Sequence, residues 1–181
     1  CYEIGSSTAE LTKKIASHNK HKKNIKYIGI ETENSMIQIA KKNCKTLKNI
    51  SFSKSDARIF KFKKTPMIIS YYSIQFIPTR DRQDLINKIY ESLEWGGAFV
   101  WFEKVRGSDA RFQDMLVNLY NNFKLKNGFS HEEIFNKSES LKGVLEPFST
   151  EGNLGLLKRA GFVDSMVIFK NICFEGILSI K

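Results

Sequence analysis

At 181 residues the chain has the length of one ordinary domain, and with 41% hydrophobic and 27% charged residues it is too apolar for a disordered tail. No apolar run approaches the ~18–20 residues that span a bilayer, and three scattered cysteines (Cys1, Cys44, Cys173) exclude a disulfide framework or a zinc ribbon. The net charge of +10 falls entirely within residues 1–64, which hold 15 Lys/Arg against 5 Asp/Glu.

Strand and helix patterns alternate along the whole chain. Residues 1–4 read as the tail of a strand, and Ser7 to His18 as a helix with Leu11, Ile15 and Ala16 on one face and Ser6 or Ser7 as its N-cap. Residues 26–30 form a short buried strand. Met36, Ile37, Ile39, Ala40 and Cys44 mark the next helix. Ile50–Phe52 and Met67–Tyr72 read as strands, and Asp81 to Leu93 as a helix presenting Leu85, Ile86, Ile89 and Leu93. Gly96-Gly97 turns the chain into a strand from Ala98 to Phe102.

A long helix follows from Asp109 to about Lys126, with Asn127-Gly128 as its stop. Helical stretches near 131–142 and 150–160 precede two apolar runs, Phe162–Phe169 and Ile172–Ile180. Only Lys170-Asn171 separates these runs, which predicts an antiparallel hairpin. Repeated βα units ending in a hairpin give an α/β fold: a doubly wound, mostly parallel sheet with one reversed C-terminal strand. One domain over residues 1–181 is expected.

Ligands of such sheets bind beyond the carboxyl ends of the strands. Three segments meet that rule. Gly5-Ser6-Ser7 passes from the first strand into a helix, where Gly5 admits a close ligand and the following amides and hydroxyls donate hydrogen bonds. Glu31 follows the second strand, where a carboxylate accepts both hydroxyls of a ribose. Asp56, with Ala57 after it, follows the third and can take the amino group of an adenine. Singly, Gly5 is equally a tight turn, Glu31 a solvated acid and Asp56 a loop cap. Their order on successive strand ends points to a nucleoside-bearing cofactor.

Together these segments resemble the class I S-adenosylmethionine (SAM)-dependent methyltransferases, with a seven-stranded Rossmann-like sheet. More specifically, the chain resembles the carboxy-S-adenosylmethionine synthase family, which acts in wobble-uridine modification of tRNA. Ser73-Ile74-Gln75-Phe76-Ile77 is similar to the family's Thr-Leu-Gln-Phe-Leu. Leu85–Tyr90 through Gly96-Gly97-Ala98, Glu103-Lys104, Phe123–Ile134 and Ala160-Gly161-Phe162 resemble its later motifs. The resemblance implies a SAM site, with S-adenosylhomocysteine or carboxy-SAM as related ligands, at Gly5, Ser6, Ser7, Glu31, Thr32, Asp56 and Ala57. Tyr71 falls where the family has a cofactor-contacting Asn. Ala9 stands at the family's second glycine, crowding the loop by one methyl, and Glu31 replaces an Asp with one methylene more of reach. Ser138, followed by Glu139, stands where the family has the Arg that holds the extra carboxylate of carboxy-SAM, and Arg159 or Arg106 are the substitutes to consider.

The resemblance further implies carboxyl transfer from prephenate to SAM, a homodimer, and an N-terminal helical segment that this chain lacks. An ordinary SAM methyltransferase, or a non-catalytic subunit of the same fold, are the alternatives. His18, His21 and His131 lack partners at metal-ligand spacing, and Glu103 is read either as a polar contact in the substrate pocket or as a helix-start acid. No nucleophile–His–acid set stands out, which suits chemistry driven by positioning. The chain opens on Cys1 with no signal-peptide pattern, so a reducing cytoplasm is the expected setting. The basic first third suits a polyanion such as tRNA or simply solvated helix faces; the absence of interleaved aromatic residues favours the second.

Overall fold

A computed structural model describes every residue from Cys1 to Lys181. Seven strands form one sheet: β1 (Tyr2–Ile4), β2 (Tyr27–Glu31), β3 (Ile50–Lys54), β4 (Thr65–Tyr71), β5 (Leu93–Lys104), β6 (Asp164–Asn171) and β7 (Phe174–Ile180). Their order across the sheet is β3-β2-β1-β4-β5-β7-β6. Strands β1 to β5 pair in parallel, and β7 runs antiparallel between β5 and β6. Connections leave β1 toward one edge and β4 toward the other. The switch point therefore lies between β1 and β4, and a crevice opens beyond their carboxyl ends.

Six helices complete the chain: α1 (Glu10–His18), α2 (Asn34–Asn43), α3 (Thr79–Ser92), α4 (Ala110–Lys126), α5 (His131–Leu141) and α6 (Thr150–Ala160). Leu85, Ile86 and Ile89 of α3 and Leu156 and Leu157 of α6 are buried against Ile4, Ile68, Phe99 and Trp101 of the sheet. Each such side chain stabilises the fold by roughly 1.5–3 kcal/mol. The opposite face meets α1 and α2, where Ala9, Ala40 and Cys44 pack with Ile50 and Phe52. Beyond these helices the second face is open, and Met166 and Ile168 of β6 stay exposed.

Capping explains where the later helices begin. The Asp109 carboxylate accepts the Phe112 amide at 3.0 Å, Ser130 and Glu133 form a reciprocal capping box, and Ser149 accepts the Gly152 amide. Gly161 ends α6 in the left-handed region, with φ at 112°. Helix α1 differs from expectation: it starts at Glu10, and neither Ser6 nor Ser7 caps it. Those residues instead build a loop that closes over β2. The hairpin forms as expected but turns two residues later, at Ile172-Cys173, because Lys170 and Asn171 still pair with Glu175 and Phe174. A two-residue loop needs a positive φ, and Ile172 supplies it at 52°, an uncommon state for a β-branched residue.

Candidate functional site

The crevice between the ends of β1, β2 and β4 is a cavity of about 220 Å³. Gly5, Glu31, Thr32, Asp56 and Ala57 line it, as expected, together with Ser73, Phe76, Ile77 and Pro78 from the loop after β4. Gly5 has φ at +68°, and a Cβ there would lie 2.2 Å from Ser73 Oγ. Only glycine lets the two loops meet so closely.

Glu31 organises the loop around itself. Its Oε2 accepts the Ser7 amide at 2.8 Å, and its Oε1 accepts the amides of Thr32 at 2.8 Å and Glu33 at 3.0 Å. The extra methylene relative to Asp is thus spanned by a bond back to the first loop. Thr32 reaches the cavity, whereas Ser6 and Ser7 do not line it. Ser6 is buried with an unpartnered hydroxyl, and Ser7 contributes its amide to Glu31.

Ala9 takes φ 65° and ψ 28°, a glycine-like conformation costing roughly 1–2 kcal/mol for an L-residue. Its methyl packs against Ala40 and Cys44 and does not line the cavity, so the crowding expected of it falls on α2. Tyr71 is also displaced from its expected place. Its ring is 45% exposed and packs on Tyr72 and Phe102, at 4.5 and 5.3 Å between centroids, away from the cavity.

Sequence reasoning missed Arg58. Its guanidinium binds both oxygens of Asp56 at 2.7–3.1 Å and Asp81 at 2.7 Å, and its own amide donates to Asp56. The Arg58 hydrogen bonds hold the Asp56 carboxyl below the usual carboxylate range. The acid read as a contact for an amino group is therefore already charged and fixed. An Arg two residues after an Asp was the available signal, but its direction depends on the loop.

Glu103 is neither a pocket contact nor a helix-start acid. It is 4% exposed inside the sheet, and burial pushes its pKa up to about 8. The Trp101 indole, the Ile74 and Gln75 backbone and the Arg82 charge surround it and favour its charged form, while one carboxyl oxygen and the Trp101 N–H have no hydrogen-bond partner. Arg82, 2% exposed, donates to the carbonyls of Ile77 (2.8 Å), Glu146 (2.7 Å) and Gln75 (3.0 Å). Together these groups fix the loop carrying Phe76 and Ile77, the apolar wall of the cavity. The motif around Gln75 is legible in the sequence; its buried supports are not.

Residues 2–97 match the family described as a methyltransferase domain. The chain is 38% identical over 180 residues to the carboxy-S-adenosyl-L-methionine synthase of Staphylococcus epidermidis, covering 99% of this chain and 78% of the relative. The chain belongs to the carboxy-S-adenosyl-L-methionine synthase family. As a member it is a SAM-dependent transferase. The synthase of Sulfurimonas denitrificans is 33% identical over 181 residues, covering 99% of this chain and 76% of the relative. In fold the chain is similar to human N-acetylserotonin methyltransferase in complex with SAM, with a TM-score of 0.67 and 16% identity over 99% of this chain and 46% of that one. It therefore spans about half of that protein. Bacillus subtilis YcgJ gives a TM-score of 0.68 at 11% identity, covering 99% of this chain and 90% of the other.

Ser138, the position that the resemblance aligns with the family's arginine, is exposed on α5, and Glu139 beside it pairs with Lys142 at 2.6 Å. Arg159 cannot substitute, because its Nε is bound to Gln83 at 2.7 Å on α3, and α6 carries it toward the amino ends of the strands. Arg106 lies just beyond β5 with its side chain exposed.

Proposed function

We propose that the cavity at the ends of β1, β2 and β4 holds SAM, and that the chain converts SAM and prephenate into carboxy-SAM and phenylpyruvate. The residues fit a nucleoside-bearing ligand. Gly5 removes the side chain that would block the loop, and Glu31 presents a carboxylate fixed by backbone amides whose Oε2, accepting only the Ser7 amide, keeps acceptor capacity for a ligand. That prearranged Glu31 is the observation that carries the assignment. Phe76 and Ile77 offer an apolar wall for a base, and the Asp56–Arg58–Asp81 chain keeps the facing loop in place.

SAM supplies the activated methyl group; in the balanced reaction that methyl gives up a proton and gains the carboxyl group of prephenate, whose ring hydroxyl leaves with the proton as water. The protein's contribution is to bind, orient and exclude water, since no nucleophile is required of it. Dimerisation belongs to the same reading. Phe112, Met115, Leu119 and Phe123 of α4 are each at least 45% exposed, a continuous apolar face suited to a second copy of the chain. The lysines of residues 1–64, none of them ion-paired, suit solvated helix faces, and the reaction itself requires no contact with tRNA.

Calorimetric titration of SAM, followed by mass spectrometry of the products formed with prephenate, tests the proposal. Binding and a carboxylated product are expected. Binding with no carboxylated product would refute the reaction and leave an ordinary methyltransferase or a non-catalytic subunit, and no binding would refute the cavity.

A further inference from the structure

The carboxyl ends of β4 and β5 meet the tip of the β6–β7 hairpin in a second cluster, none of which lines the cavity. Lys104, the last residue of β5, and Lys124, near the end of α4, both place Nζ over the ring of Tyr120, at 5.2 and 4.5 Å from its centroid. Tyr120 packs edge-on against Phe174 at 5.2 Å, and Phe174 against Tyr72 at 5.4 Å. Neither lysine has an ion-pair partner. Both are half-buried, and burial with the charge of Lys104 draws the Lys124 pKa down.

Two ammonium groups held over one ring, without an acid, repel one another and lack part of their hydration. The ring's negative face relieves some of that cost. An anion placed between them would relieve the rest. The walls around the lysines are the rings of Tyr72, Tyr120 and Phe174, suited to a cyclic, largely apolar body. The hairpin tip is held where it must be to complete this arrangement. Ile172 takes a strained positive φ, and the Cys173 carbonyl accepts the Val105 amide at 2.7 Å just past Lys104. The cluster stands at the ligand end of the sheet, and Tyr72 directly follows β4, whose loop forms the cavity wall.

We infer that Lys104 and Lys124 form the carboxylate subsite for the second substrate, with Tyr72, Tyr120 and Phe174 receiving its ring. The inference rests on the proposed reaction for the identity of that substrate, but not for the subsite's chemistry. The carboxylate that the two lysines hold is the one that prephenate and phenylpyruvate share, not the one transferred to SAM.

The test is calorimetric titration of prephenate, and separately of phenylpyruvate and its neutral methyl ester, into protein saturated with S-adenosylhomocysteine. The parent should bind both acids and discriminate against the ester. Lys104→Met and Lys124→Met should each weaken the acids by about tenfold or more, as expected for hydrogen bonds to charged groups, and erase the preference over the ester. Lys124→Arg should recover most of the affinity. S-adenosylhomocysteine binding should be unchanged in every variant, which shows that the fold and cavity are intact. Prephenate and phenylpyruvate binding at parental strength in both Met variants would overturn the inference, as would a parent that binds S-adenosylhomocysteine but neither acid. If the parent forms no carboxylated product yet binds phenylpyruvate in a lysine-dependent way, the subsite stands and the proposed reaction falls.

Discussion

Replacing Glu31 by Ala separates the cavity's binding role from its structural one. The carboxylate makes three backbone hydrogen bonds, to Ser7, Thr32 and Glu33, but all three lie at exposed positions. Water can take over these amides, so the cost to folding should stay within about 1 kcal/mol, as for other solvent-accessible bonds. A bound ribose has no such replacement, because its hydroxyls lose a charged acceptor. Hydrogen bonds to charged groups contribute about 1.5–3 kcal/mol each before the competition with water at an open cavity is counted, so about 1–3 kcal/mol is expected here. That corresponds to a rise of roughly 5- to 150-fold in Kd for SAM or S-adenosylhomocysteine. Glu31→Gln, which keeps the shape and one carbonyl acceptor, should fall between parent and Ala. Isothermal titration against each variant reads the effect directly, with a thermal melt confirming the small folding cost. A Glu31→Ala protein that binds S-adenosylhomocysteine as tightly as the parent would refute the reasoning, and the ribose-binding role with it.

Burial lifts the Glu103 pKa to about 8 and that of Glu3 to about 7, both above the unfolded value near 4.5, so the stability tied to each is full below that value and is lost as pH rises toward the folded one. Between pH 7 and 8 Glu103 carries the larger part of the remaining titration and Glu3 the smaller, so Glu103→Gln should reduce the decline in urea midpoint over that interval and stabilise the protein there by a few kcal/mol, on the order of the shift; a parent whose midpoint rises over that interval contradicts it. Arg82→Met leaves three carbonyls without their buried donor and should cost about 3 kcal/mol or more, lowering Tm by roughly 6–12 °C. Light scattering at micromolar concentration should give the mass of a dimer, and Phe123→Asp that of a monomer; a monomeric parent would remove the role assigned to the α4 face. Because Ser138 is exposed on α5 and does not line the cavity, Ser138→Arg should change the preference for carboxy-SAM over SAM by no more than about threefold, and a larger gain in calorimetry would give that task to α5.

The sheet was legible because period and punctuation agree. Tyr27–Glu31, Ile68–Ser70 and Ala98–Trp101 are short apolar segments between helical repeats, and the hairpin follows from two apolar runs with almost nothing between them. The cavity was legible through chemistry placed at strand ends: Gly5 follows β1 directly, Glu31 is the last residue of β2, and Asp56 comes two residues after β3. What could not be read depends on direction. Tyr71 ends β4 with its ring turned toward Phe102, because the alternation that buries Ser70 sends the next side chain to the opposite face. The grip of Arg58 on Asp56 and Asp81 joins a loop to a helix 23 residues away. The face of α4 carries an apolar stripe that periodicity would assign to the core, yet no residue of that helix is buried.

The arginines show why this chain would meet a carboxylate with lysine. Arg58 is committed to two aspartates, Arg82 to three carbonyls in the interior, and Arg159 to Gln83 on the far side of α3. Arg80 lies on the surface near Asp81 at 3.6 Å. Arg58, Arg82 and Arg159 thus already serve structure, and moving one to the pocket would uncover the group it now satisfies, whereas Arg80, Arg106 and Arg111 stand exposed on the surface. Lys104 and Lys124 are in no ion pair; their ammonium groups lie over Tyr120, with the Cys173 thiol nearby. An ammonium is a compact charge on a flexible stem, without the planar fork that reads a carboxylate at two points. Recognition by two such charges depends more on their separation and on the rings around them than on the geometry of either one. Binding of the acid should therefore weaken with added salt more steeply than binding of a nucleoside at Glu31, where the contacts are short hydrogen bonds to a fixed carboxylate. A parallel salt dependence for the two ligands would mean that the lysines are not where the carboxylate is held.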